Sequence, residues 1–293
     1  MLYGVLSLLG VFLAVFAFFF IKDVMIHRKE PVPASRLGIT GAIGLVANFL
    51  DTLGIGSFAP STAAFKATKT IDDGIIPGTL NVAYTIPVIV EAFFFIRSVE
   101  VEIVTLIAML AAATIGAWLG AGIVAKFSRM RIQVIMGFAL LATAILMVLR
   151  VTGTIDSFGT GEEIGLSGGL LVVAIVGNFI LGALMTAGVG LYAPCMALVY
   201  LLGMNPLVAF PIMMGSCAFL MPVAGIRFIR EQKYAKKESL AMALCACIGV
   251  VIAATLVLSL PMKQLTYLVI VVILIASATM IRSAYLSKKS GAK

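Results

Sequence analysis

The chain has 293 residues, of which 62% are hydrophobic and 12% charged, about half the charged share of an average soluble domain. This excludes a water-soluble enzyme, a disordered regulator and a small disulfide-stapled domain, and several apolar stretches reach the ~20 residues a helix needs to cross a bilayer. The balance of 21 Lys and Arg against 13 Asp and Glu gives a net charge of +8, but the cations cluster beside apolar spans, where they set topology and do not point to nucleic acid.

The first apolar segment, Leu2 to Ile21, has no basic residue before it and is followed at once by Lys22, Arg28, Lys29 and Arg36. A cleaved signal peptide carries the opposite charge order, so the expectation is a retained helix with its N-terminus outside. Further spans are expected at Leu37–Asp51, Gly78–Ile96, Val101–Ala125, Ile132–Leu149, Gly169–Ala187, Val208–Arg227, Ser239–Leu260 and Leu265–Ile281. Two apolar pieces, Phe58–Lys69 and Tyr192–Gly203, are too short to cross. The four cysteines, Cys195, Cys217, Cys245 and Cys247, form no metal or disulfide pattern and read as packing residues, and the single histidine, His27, lies in a basic loop.

Basic clusters at 22–36, at Lys126, Arg129 and Arg131, at Arg227 to Lys237, and from Arg282 to Lys293 should all be cytoplasmic. The stretch 151–167 has no cation and carries Asp156, Glu162 and Glu163, so it should be external. The charge pattern is met when Leu37–Asp51 and Phe58–Lys69 form a re-entrant hairpin and Gly78–Ile96 makes the net crossing. Lys66 and Lys69 then return to the cytoplasmic side, within reach of Asp72 and Asp73. The expected location is the cytoplasmic membrane, with the C-terminus inside.

The segment Gly54-Ile55-Gly56-Ser57-Phe58-Ala59-Pro60 recurs 134 residues later as Gly188-Val189-Gly190-Leu191-Tyr192-Ala193-Pro194, and Pro77 meets Pro211 at the same offset. The chain therefore reads as an N-terminal helix and loop (1–36), a first repeat (37–150), an external linker (151–168), a second repeat (169–285) and a cytoplasmic tail (286–293). By the charge count the two repeats run in opposite senses across the membrane. The expected fold is an all-α polytopic membrane protein: an inverted repeat of helix bundles with broken, re-entrant short helices at the midplane, plus an extra N-terminal transmembrane helix. Many secondary transporters have this architecture.

Two glycine-rich breaks, GIGSFAPS and GVGLYAPC, each followed by a short helix, a proline-led long helix and a basic loop, resemble the TauE/SafE sulfite exporter family, also called the toluene sulfonate uptake permease family. The resemblance covers nearly all of the chain after residue 36. It implies movement of sulfur-containing anions such as sulfite, thiosulfate and sulfonates across the cytoplasmic membrane. The chain has Gly-x-Gly where that family has longer glycine runs, so the resemblance does not carry the exact substrate.

A backbone break at membrane depth persists only where it is covered by protein or lines a polar cavity. Gly54, Gly56, Gly188 and Gly190 allow a tight turn and close approach of backbone to a ligand. Ser57 is placed as an N-cap, and Pro60 and Pro194 fall in first turns. Helix N-termini favour anions, and two oppositely running short helices would aim two of them at one point. The expected substrate-binding residues are Gly54, Gly56, Ser57, Ser61, Asn81, Gly188, Gly190, Tyr192 and Ser216, with Thr62, Tyr84, Thr85 and Cys217 nearby. The competing reading makes the glycines helix-packing residues and the hydroxyls donors to their own helix carbonyls. Asp51 and Glu91 are acids at apparent membrane depth, which suggests proton coupling; alternatively Asp51 caps the short helix and Glu91 pairs with Arg97 near the outer surface.

The partners expected are thus a small anion, membrane lipid and a proton or counter-ion, with no nucleic acid, cofactor or metal. With no Walker motif and no clustered catalytic acids, histidine or cysteine at the breaks, an enzyme is not expected. An anion channel of the same fold, or a transporter of a carboxylate or another solute, remains open. The sequence leaves the oligomeric state undetermined.

Overall fold

A computed structural model describes residues 2–124, 129–152, 162–186 and 190–289. Eleven α-helices are present among them: α1 (Leu2–Ile26), α2 (Ala34–Thr52), α3 (Phe58–Thr68), α4 (Ile76–Ser98), α5 (Ile103–Val124), α6 (Arg129–Val151), α7 (Gly168–Thr186), α8 (Tyr192–Leu201), α9 (Ala209–Arg230), α10 (Lys236–Ser259) and α11 (Met262–Lys289). Seven helical stretches are long and apolar enough to cross a membrane, those containing α1, α4, α6, α7, α9, α10 and α11. Side chains such as Trp118 (81% exposed), Val223 (64%) and Leu244 (63%) lie open on the helix surfaces, an arrangement suited to lipid and not to water. The protein is a membrane-embedded helical protein. Where α2 departs from uniform apolarity, its buried positions include Thr40, Asn48, Asp51 and Thr52.

The order long helix, short helix, single 3-10 turn, proline-containing long helix, two further helices occurs twice. The elements from α2 to α6 correspond in order to those from α7 to α11, and the 3-10 turns Asp73–Ile75 and Pro206–Val208 precede α4 and α9. These turns are capped alike, by Asp72 Oδ1 accepting from Gly74 N at 3.0 Å and Asn205 Oδ1 from Leu207 N at 2.9 Å.

The chain divides into two compact units, Met1–Ser98 with Cys217–Ser259, and Val99–Ser216 with Leu260–Lys293. Each unit takes helices from both halves of the sequence.

In the first unit α2 packs along α10 and α4 packs on α10. The helices α2 and α10 start side by side, where Arg36 Nε lies 3.1 Å from Glu238 Oε1. They approach so closely that a Cβ on Gly44 would meet the Met242 carbonyl at 2.7 Å, and one on Gly249 would strike the Leu45 carbonyl. The first helix belongs to this unit: Phe16 and Phe20 of α1 are fully buried against Val82, Ile229, Tyr234 and Ala243. Asp23 ties its C-terminal end by accepting from Tyr234 Oη at 2.5 Å and Gln232 Nε2 at 2.8 Å.

In the second unit α5 packs along α7, and α6 along α11. The helices α5 and α7 also start side by side: Glu102 N donates to Ile164 O at 2.9 Å, and Leu166 N donates to Thr105 Oγ1 at 2.9 Å. Again glycine sets the distance, since a Cβ on Gly116 would strike the Phe179 carbonyl and one on Gly182 the Ala113 carbonyl. The first-unit pair joins helix one of the first half to its partner in the second, and the second-unit pair does the same with the halves exchanged.

Candidate functional site

The first break is built by the end of α2. Ile55 N donates to Leu50 O at 3.0 Å and Gly54 N to Asp51 O at 2.7 Å, the paired bonds of a Schellman ending. That ending needs a left-handed residue, which Gly54 supplies at φ 95°, and Gly56 follows at φ 92°. A side chain at either position would be strained, although a Cβ on Gly56 would meet nothing within 4 Å. The chain then turns into α3 at Ser57.

Ser57 occupies the N-cap position, but its side chain makes no capping bond to α3. Asp51 does the capping work from the last turn of α2: Ser57 N donates to its Oδ1 at 2.7 Å. Asp51 is 4% exposed and Ser57 2%, so a buried carboxylate already stands at the N-terminus where the sequence suggests an anion. Of the two roles open to Asp51, capping is the one with visible geometry.

The neighbouring polar side chains are also engaged. Ser61 Oγ and Tyr84 Oη lie 2.6 Å apart, both residues buried, and Phe58 stacks obliquely on Tyr84 with ring centroids 6.3 Å apart. Thr62 donates to Phe58 O at 2.8 Å, Asn81 Nδ2 to Pro77 O at 2.9 Å and Thr85 to Asn81 O at 2.6 Å. These three bonds are helix-internal. Glu91 is fully buried, away from the surface position envisaged beside Arg97, and its Oε1 lies 2.7 Å from Thr52 Oγ1. The sequence reading gave Thr52 no role. Its signal was a hydroxyl at the last position of α2, two residues before Gly54. At the C-terminal end of α3, Lys66 Nζ lies 3.7 Å from Asp73, while Lys69 ends α3 at φ 51°.

The second break is described in part. Gly188 lies outside the described residues; Gly190 is exposed, and it is not among the glycines held at positive φ. Leu191 is the N-cap of α8 without a side-chain bond, and Cys195 N donates to Leu191 O at 2.9 Å. This matches Ser61 N to Ser57 O at 3.1 Å in the first break. Tyr192 and Cys195 are buried. Ser216, fully buried in α9, donates to Ile212 O at 2.7 Å and accepts from Asn178 Nδ2 at 3.3 Å; Asn178 also donates to Met109 O at 2.7 Å. Asn178 is a site feature that the sequence reading missed, although a single amide in an apolar helix was there to be seen.

Within the first unit the structure thus brings together Asp51, Thr52, Gly54, Gly56 and Ser57 at the break, with Glu91 on Thr52 and Ser61 on Tyr84. In the second unit Ser216 and Asn178 meet at the α5–α7–α9 contact. Among the described residues no three His, Cys, Asp or Glu side chains gather as a metal cage requires. No family model, no curated protein and no solved structure matches the chain.

Proposed function

We propose that the chain is a secondary transporter of small anions, of the class that includes sulfite, thiosulfate and sulfonates, and that the two helix breaks are the moving parts of an alternating-access cycle. The observation that carries this reading is the duplicated unit of broken long helix and short helix in a membrane-embedded protein. Lipid cannot satisfy such backbone, and a scaffold has no need to interrupt its helices twice at matching positions. Two features support an inverted relation of the halves. The helices α2 and α10 start together among Arg28, Lys29, Arg36, Lys233, Lys236 and Lys237, whereas α5 and α7 start together among Glu100, Glu102, Glu162 and Glu163. Cations gathered at one start, and none in residues 98–108 and 162–171 at the other, are what the positive-inside rule asks of an inverted copy.

Asp51 bears on the anion. Its carboxylate holds the Ser57 N–H, so an anion that takes this donor must displace it, and two negative charges about 4 Å apart repel by ~4 kcal/mol at an effective dielectric near 20. Protonation or withdrawal of Asp51 is therefore part of the proposed cycle.

The test is flux of sulfite and of thiosulfate into proteoliposomes, compared with Gly56→Leu. A Cβ at this position meets nothing within 4 Å, but the backbone angle of 92° is one a leucine rarely adopts, so the substitution should distort the break and abolish flux. If the purified wild-type protein moves neither anion, or if Gly56→Leu moves it at the wild-type rate with equal reconstitution, the reading is overturned.

A further inference from the structure

The contact between Thr52 and Glu91 has a proton count that the positions of the heavy atoms do not meet without help. Thr52 Oγ1 lies 2.8 Å from Asn48 O and 2.7 Å from Glu91 Oε1. A hydroxyl has one proton to give, and a backbone carbonyl has none. If Glu91 is a carboxylate, one of these two short contacts sets lone pair against lone pair inside a buried cluster. If Glu91 is a carboxylic acid, both are satisfied: its O–H donates to Thr52, and Thr52 donates to Asn48 O.

We propose that Glu91 is a proton-binding site, occupied in this conformation, whose proton is held through Thr52 at the last turn of α2. Thr52 sits two residues before Gly54, at the hinge of the first break. A movement of that hinge separates Oγ1 from Glu91, removes the acceptor for the acid proton and leaves the proton to water on the side then open. The proposal rests on the transport reading for its purpose and names the coupled ion, a proton. The site is present once: at the 134-residue offset Thr52 corresponds to Thr186, but Glu91 corresponds to Gly225. The repeated frame therefore carries one proton at this position and not two.

The other titratable groups around α4 have partners of their own or no net charge to add. On α2, Asp51 holds Ser57 N, and on α4 itself Tyr84 meets Ser61 of α3. On α10, Cys247 is a half-buried free thiol. On α1, Asp23 is held by Tyr234 and Gln232, with His27 3.6 Å away. In the turn before α4, Asp73 lies beside Lys66.

Two readouts on the full-length protein in liposomes test the proposal. The infrared difference spectrum between wild type and Glu91→Gln at neutral pH should show the carbonyl band of a neutral carboxyl lost in the variant, whose amide N–H can replace the acid O–H and preserve the fold. Loss of carboxylate bands alone would overturn the proposal, whether or not any anion is transported. For coupling, an imposed pH gradient should accelerate sulfite or thiosulfate flux several-fold in wild type, and the ratio should fall to about one in Glu91→Gln. A stimulation unchanged in Glu91→Gln overturns the coupling. Absence of wild-type flux instead defeats the transport reading and leaves the spectrum to decide the proton.

Discussion

Replacing Asp51 by Asn and by Ala separates its charge from its hydrogen bond. Both substitutions remove the negative charge, but Asn keeps a side-chain oxygen within reach of Ser57 N, which accepts no other role in the break. In Asp51→Ala that N–H, in a residue 2% exposed, is left without its acceptor, at a cost of about 1–3 kcal/mol. Ala is the better helix former by up to ~0.7 kcal/mol, which partly offsets the loss. The net expectation is that Asp51→Ala is less stable than Asp51→Asn by about 1–2 kcal/mol, a factor of roughly 5–30 in the unfolding equilibrium. The difference between wild type and Asp51→Asn then reports the charge alone, the charge-assisted bond against the desolvation it requires. Reversible unfolding of the protein in mixed micelles is the assay. Equal stability of the two variants would show that the bond from Ser57 is not what holds the break, and the account of Asp51 as cap would fail.

Ser61→Ala, Tyr84→Phe and the double variant should show a coupling energy of about 0.5–1 kcal/mol in the same unfolding assay, the range found for buried polar pairs between membrane helices; additive effects would contradict the 2.6 Å contact. Gly116→Ala or Gly182→Ala should destabilise the second unit by about 1–3 kcal/mol, because each added methyl meets a backbone carbonyl of the facing helix that no rotamer change can move. Thermal melts that match wild type would rule out the close α5–α7 approach. At the α9–α10 loop, burial first and then the neighbouring Asp23 and Glu30 carboxylates push the Tyr234 phenol far above its ordinary value. A raised folded-state value means that stability is fully present below the unfolded tyrosine value, near 10, and is lost as pH rises beyond it. Wild type should therefore lose stability in strong alkali more steeply than Tyr234→Phe, and parallel pH profiles for the two would refute the buried phenol–Asp23 bond.

What could be read from the sequence is what short-range rules govern. The span expected at Leu37–Asp51 is α2 at Ala34–Thr52, and the short piece expected at Phe58–Lys69 is α3 at Phe58–Thr68, because Pro33, the two glycines and the change in apolarity mark their own boundaries. The same local signals found Gly54 and Gly56, which stand at positive φ in the turn between α2 and α3. Local rules also placed Ser57 at the cap and left Asp51 two roles, proton coupling or capping the short helix. The capping oxygen comes from Asp51, six residues back across a Schellman turn whose geometry decides which side chain can reach.

Glu91 shows where such rules stop. Its nearest opposite charge in sequence is Arg97, six positions on, whereas the atom it meets is the hydroxyl of Thr52, 39 positions away. That meeting depends on how α2, α4 and α10 are laid together, and their seam is set by glycines such as Gly44 and Gly249, whose importance lies entirely in what faces them. A glycine in an apolar helix gives the same sequence signal whether it faces lipid or a carbonyl. The pairing of each half's first helix with a helix from the other half is hidden for the same reason: periodicity reports which face of a helix is apolar, but in a membrane both the lipid and the neighbouring helix are apolar, so the hydrophobic pattern that selects partners in water selects none here. What remains to choose the partner is close fit and a few polar contacts, Arg36 with Glu238 at one start and Thr105 with Leu166 at the other. Both are long-range pairs that only the folded chain brings together.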